Sequence, residues 1–313
     1  MSEKSIAEVN EKLPENRVGV GADESRLSKN YSAFLPSEDV VLFLGEIRSD
    51  IYSDWQKIIQ GIPGPRKENV LVVICTAGGN PHEAFRMMRL LQILYKKISV
   101  LILGGCFSAG TLFALGADVI FMSPGSNLGP LDVQLRKEDD YARISGECYR
   151  QALLDLSVVA QNIFTDLFSG FKACQNILIS TQTASRAATD IVNGLLSPVT
   201  QQIEPGKLGE MMRSQDIGVS YGIRLMRRMY GEITAREIVD KLAQQYPSHG
   251  TIVDCDEAKR LGLFAQLIDL QEWHAGVFWG LEEKILGNED IGYGQPIMKC
   301  LNSEEIIGVS SCI

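Results

Sequence analysis

Histidine is scarce. Three occur in 313 residues, His82, His249 and His274, so a reaction that needs an imidazole has only three places to find one. Seven cysteines, an odd number with no Cys-x-x-Cys spacing, suit a reducing cytoplasm better than a disulfide framework. Clustered Lys and Arg are also missing. With a net charge of -9, nucleic acid and anionic membrane are not expected partners, and Arg86, Arg89, Lys96 and Lys97 read as a solvated helix face. There is no Gly-x-x-x-x-Gly-Lys-Ser/Thr loop for ATP. Met1-Ser2-Glu3-Lys4 leads into polar sequence with no apolar signal core, which points to the cytoplasm. Residues 98–122 are apolar over nearly a membrane-crossing length, but a glycine cluster, Ser108 and Asp118 interrupt them, so no span is expected. No internal repeat beyond two strand-turn-helix units and no low-complexity tract occurs, and no metal or cofactor is expected.

What is present suits an α/β protein. With 45% hydrophobic residues, the chain can build one large domain or a domain with a helical appendage. Residues 70–75 form a continuous β-branched run, the pattern of a strand buried on both faces of a parallel sheet. The turn Thr76-Ala77-Gly78-Gly79-Asn80-Pro81 follows. Over 82–95, Ala84, Met87, Met88, Leu91 and Leu94 recur at helical spacing. The pattern repeats with a strand at 99–103, the turn Gly104-Gly105-Cys106-Phe107-Ser108-Ala109-Gly110, and a small-residue helix that begins at the serine. A further strand over 40–47 with a helix over 50–61 precedes these units. Such crossovers build a parallel sheet whose ligands sit at the carboxyl ends of the strands, the edge to which both glycine turns belong.

Thr76-Ala77-Gly78-Gly79, Ser108-Ala109-Gly110 opening an apolar helix, residues 117–122, and Leu128-Gly129-Pro130-Leu131-Asp132-Val133-Gln134 together resemble the Clp-fold serine peptidases. The likeness is to the serine dehydrogenase proteinase family, related to signal peptide peptidase A and the Clp proteolytic subunit. It covers residues 39–134 and a patch near His249. It implies a Clp/crotonase-like parallel sheet with a largely helical C-terminal region, an ATP-independent serine endopeptidase (a hydrolase), a peptide or protein substrate, and a homo-oligomer.

Amide hydrolysis needs a nucleophile, a base, and donors aimed at the developing oxyanion. Ser108, at a strand-to-helix turn, is placed to be the nucleophile. Cys106 is a weaker alternative. The amides of Gly78, Gly79 and Ala109 can serve as oxyanion donors, since glycine lets the main chain approach a substrate closely. The resemblance assigns these same roles. The bland alternative is that the glycines only permit a turn and Ser108 only caps a helix. For the base, the resemblance to the Clp proteolytic subunit places a histidine within 126–134, where this chain has none. The serine dehydrogenase proteinases place theirs in a downstream loop, which His249 in Pro247-Ser248-His249-Gly250 matches. His82 and His274 read as surface or packed residues. Asp132 is expected as the third member, ahead of Asp254. A lysine such as Lys172 is the other base, following signal peptide peptidase A, and needs burial to lose its proton. A crotonase-type acyl-coenzyme A enzyme and a catalytically silent scaffold share the fold and stay open.

The expected organisation is a flexible arm over 1–37, a catalytic core over 38–146, a helical region over 147–286 that carries the base, and a tail over 287–313. Ser197-Pro198 and Glu204-Pro205-Gly206 are expected as helix breaks. Helices are expected over 218–229 and 234–246, the second capped by Thr234 with Glu237 three residues on. Residues 136–141 read as a charged, mobile stretch.

Overall fold

The computed structural model describes residues 38–62, 64–131, 134–137, 140–174, 179–246, 250–269, 278–286 and 296–301. The arm expected over 1–37 and most of the tail expected over 287–313 lie outside them.

The first half of the chain alternates strand and helix. It runs β1 (Glu38–Leu44), α1 (Ile51–Gln60), β2 (Asn69–Thr76), α2 (Pro81–Leu94), β3 (Lys97–Cys106), α3 (Ala109–Ala114), β4 (Val119–Met122) and β5 (Asn127–Leu128). The apolar runs seen in the sequence are strands buried along nearly their whole length, because helices cover both faces of the sheet. The amphipathic pattern of α1 resolves into Ile51, Trp55 and Ile59 buried on one side. Trp55 lies edge-on between Phe43 and Phe113 at 6.1 and 6.0 Å, and its indole N–H donates to the Met87 carbonyl at 3.3 Å. Asn80 caps α2, its side chain accepting from the His82 and Glu83 amides, with Pro81 at the first helical position.

The second half is largely helical: α4 (Gly146–Ala173), α5 (Thr181–Thr200), α6 (Pro205–Met226), α7 (Glu232–Gln244) and α8 (Cys255–Arg260). Strand β8 (Ala265–Leu267), helix α9 (Trp279–Leu286) and strand β9 (Ile297–Leu301) follow. The sheet order is β8-β4-β3-β2-β1-β9, with β5 also pairing with β3. Every pair is parallel except β1 with β9. The fold is therefore the α/β class expected, a mostly parallel sheet of strand-turn-helix units with a helical C-terminal region. The larger core lies on the face covered by α1, α2, α3, α6 and α7. A smaller one on the other face includes Phe278 and Leu281.

Several local expectations are corrected. Residues 136–141 are expected to be a charged, mobile stretch, but those of them that are described belong to an antiparallel hairpin of β6 (Gln134–Lys137) and β7 (Asp140–Ser145). Pro198 sits inside the last turn of α5, where the chain stays helical to Thr200, so its missing amide forfeits a bond only near a helix end. Helix α6 begins at Pro205, well before residue 218. Helix α7 begins at Glu232 after an extended Gly231, with the Ala235 amide already donating to the Gly231 carbonyl at 2.9 Å. Thr234 is thus inside the first turn and caps nothing. Strand β9 was not legible in the sequence of the tail.

Helices α4 and α5 contribute no described residue to either core, although α4 packs against α6. The buried residues of α5 are only Ala184 and Ala188, while Leu154, Val158, Val159, Ile191, Leu195 and Val199 are exposed.

Candidate active site

The two glycine turns emerge side by side from the carboxyl ends of adjacent strands. Thr76 pairs with Cys106 in the β2–β3 register, and the Phe107 amide donates to the Thr76 carbonyl at 3.0 Å. A side chain on Gly78 would lie 2.5 Å from the Phe107 carbonyl oxygen, 3.0 Å from Ser108 Cβ and 3.2 Å from the Ala109 nitrogen. Only a residue without Cβ lets the turns approach this closely. Gly78 and Gly79 also hold φ values of 99° and 132°, a region open to glycine and strained for other residues.

Ile47 secures the far side of the first turn. Its amide donates to the Gly78 carbonyl at 2.8 Å, and its carbonyl accepts the Asn80 amide at 2.7 Å. This is a parallel bridge centred on Gly79, so the N–H and C=O of Gly79 itself point away from Ile47. A Cβ on Gly79 would collide with the Ile47 carbonyl. The Gly78 amide is committed to Thr76 Oγ1 at 3.0 Å. The amides of exposed Gly79 and of Ala109 donate to no acceptor among the described residues.

Ser108 has φ 51° and ψ -110°, and it is the one non-glycine residue with positive φ among those described. A serine pays a steric cost to sit there, and such outliers cluster at sites where a side chain must be aimed. Its side chain makes no capping bond to α3, so the reading of Ser108 as a plain helix cap does not hold. It is half-buried, and its hydroxyl bonds to no described residue.

Thr111 locks the turn from behind. Its hydroxyl lies 2.9 Å from the Cys106 carbonyl and 2.8 Å from the Gly129 carbonyl, and it accepts the Gly129 amide at 3.2 Å. The segment 128–131 borders the site: Gly129 donates to the Cys106 carbonyl at 3.2 Å, Leu128 and Val253 exchange two bonds of 2.9 Å, and Leu131 donates to the Leu242 carbonyl at 2.9 Å. Sequence reasoning named no role for Thr76, Thr111 or Ile47. A threonine beside each glycine turn was the only available signal.

The predicted bases are distributed differently. His249, Asp132 and His274 lie outside the described residues. His82 is exposed, its Nδ1 3.0 Å from Tyr221 Oη and its ring edge-on to that tyrosine. Lys172 is exposed at the end of α4, its Nζ donating to the Ile179 carbonyl at 3.3 Å, so the burial expected of a lysine base is missing. Asp254 caps α8, accepting the Glu257 amide at 2.8 Å. Cys106 is fully buried, and burial pushes its thiol well above the ordinary range, which removes it as a nucleophile. Among the described residues no helix is long and apolar enough to cross a membrane, and no group of three or more His, Cys, Asp or Glu is placed to hold a metal ion.

No protein-family model matches the chain, and no curated protein matches it. Among solved structures it is similar to the membrane-bound stomatin-specific protease 1510-N, solved as a serine-to-alanine mutant. That match has 13% identity over 74% of this chain and 79% of the other, with a TM-score of 0.43. A lysine-to-alanine mutant of the same protease, in complex with a substrate peptide, matches at 13% identity over 75% and 78%, with a TM-score of 0.42. A mutant of ClpP1 from Listeria monocytogenes matches at 20% identity over 31% of this chain and 58% of that one, with a TM-score of 0.28.

Proposed function

We propose that this chain is an ATP-independent serine peptidase, a cytoplasmic homo-oligomer acting on peptides or partly unfolded protein. Ser108 is the nucleophile, His249 its base and Asp132 the carboxylate that orients the base. The observation that carries this reading is the strained, uncapped Ser108 set against Gly78, with the unspent amides of Gly79 and Ala109 beside it.

In the first step the Ser108 hydroxyl gives its proton to the imidazole as Oγ bonds to the scissile carbonyl carbon. The carbonyl electron pair moves onto oxygen, where the Gly79 and Ala109 amides receive it. Gly78 contributes by lacking a side chain, since its own amide is held by Thr76. Collapse of the tetrahedral intermediate expels the amine with the proton from the imidazole. A water then repeats the sequence and releases the acid. The chain beyond His249 is tied to this site through the Val253–Leu128 bridge, and Leu131, the residue before Asp132, is tied to α7. The exposed apolar stripe of α4 and α5 supports the homo-oligomer: left bare it favours self-association.

A fluorophosphonate probe tests the assignment. Wild type should label, while Ser108→Ala and His249→Ala should each lose reactivity on the order of 10³-fold or more with an unchanged circular dichroism spectrum. Pure, folded, oligomeric wild type that does not label overturns it, in favour of the crotonase-type or silent alternatives.

A further inference from the structure

We propose that Glu282, on the C-terminal helix α9, is a positioning residue that sets the strand irregularity aiming Ser108; this rests on the peptidase reading only for its catalytic consequence.

The irregularity is legible in the β2–β3 register. Ile74 faces Ile102 and Thr76 faces Cys106, so one residue of β2 spans three of β3. The two surplus residues lie within 103–105, and Gly104 turns through a φ of 61°. A bulge of this kind lifts a backbone amide off the ladder and redirects the chain beyond it. Here the redirected chain is Phe107 and Ser108. An amide removed from the ladder and buried must find another acceptor.

The acceptor comes from far away in the sequence. Glu282 is 2% exposed, and its Oε1 accepts the Gly104 amide at 3.2 Å. The same oxygen accepts a hydrogen bond from the Ser123 hydroxyl. Ser123 is fully buried and opens the turn between β4 and β5, and its carbonyl takes the Ser126 amide at 2.9 Å. That turn delivers β5, which pairs Asn127 with Gly105 and Leu128 with Cys106. One carboxylate oxygen therefore holds both the bulge and the connector whose strand flanks Cys106 on the side away from Thr76. Cys106 is two residues before the nucleophile. Glu282 touches no reacting atom, and its effect passes through the angle at which β3 leaves the sheet.

Three variants in the full-length protein test this. Glu282→Asp keeps the charge and shortens the reach by one methylene. Glu282→Gln keeps an oxygen of the right reach and drops the charge. Ser123→Ala removes one of the two donors. Hydrogen exchange followed by mass spectrometry should show the peptide spanning 103–110 exchanging at least tenfold faster in Glu282→Asp, with β1 and α1 unchanged. Fluorophosphonate labelling should slow by roughly 10- to 100-fold in Glu282→Asp. On a peptide substrate the loss should fall on kcat with KM preserved. Glu282→Gln should restore both readouts to within about threefold of wild type, with Ser123→Ala in between. Wild-type exchange and labelling in Glu282→Asp overturn the assignment, as does a Glu282→Gln no better than Glu282→Asp. If wild type does not label at all, the peptidase reading falls while the exchange measurement still decides the role of Glu282.

Discussion

The turn-bearing sheet and the α4–α5 pair satisfy their apolar residues by opposite means. Between β1 and β4, Val41, Phe43, Trp55, Val72, Ile74, Val100, Ile102 and Phe113 are all within 1% of complete burial. In α5, periodicity of the same quality leaves Leu195 at 56% and Ile191 at 40% exposure. A sheet strand finds its partners within its own chain, whereas the α4–α5 pair has a second side with no described residue behind it. Apolar periodicity thus reports that a surface is meant to be covered, and only the fold tells whether the chain covers it itself.

The sharpest way to break this contrast is at the tightest contact. Gly78→Ala places a Cβ 2.5 Å from the Phe107 carbonyl at a φ of 99°. It should cost about 1–3 kcal/mol in denaturant unfolding and reduce fluorophosphonate labelling by roughly 10²-fold. A labelling rate equal to wild type would mean that the two turns need not touch. The outer helices should respond in the reverse sense. Leu195→Glu should leave unfolding within about 0.5 kcal/mol of wild type but shift the mass seen by light scattering towards the monomer. A monomeric wild type, or a variant of unchanged mass, would remove the stripe as a contact between copies.

The effect most remote from the candidate site is expected at Glu38, a polar side chain shut into the sheet's own packing. Its side chain is 1% exposed, and among the described residues neither carboxylate oxygen has a hydrogen-bond partner. Burial raises its pKa from 4.5 to about 7, with Lys97 and Lys67 pulling partly in the other direction. A folded-state value above the unfolded one gives a contribution fully present below 4.5 and lost as pH rises through about 7. Wild type should therefore lose thermal stability across that interval relative to Glu38→Gln. Parallel melting curves for the two proteins would refute the shift.

The elements legible in the sequence were those specified by short-range physics. Strands β2 and β3 announce themselves by β-branched runs, and α2 by its cap and period. Both turns announce themselves by glycines that nothing else could replace. Ser108 was legible as a turn residue, but its positive φ was not, because its turn packs against Gly78 from another strand-turn unit, beyond any local window. The register shift in β3 depends on an acceptor on α9, and β9 depends on β1; no local window contains both halves of either pair. The hairpin over 134–145 was obscured by its charge, which suits a two-stranded ribbon as well as it suits a loop. His249 and Asp132 were reached through a family likeness rather than through spacing, and they lie outside the described residues.

Strand β9 has a temporal consequence. Val40 of the first strand faces Leu301, so among the described residues this border of the sheet is closed by a strand from far downstream in the sequence. On the ribosome β1 must wait with a row of free amides and carbonyls until that downstream stretch emerges, an invitation to pair with the wrong strand. Until β9 arrives, that border can be claimed by any extended segment of matching length.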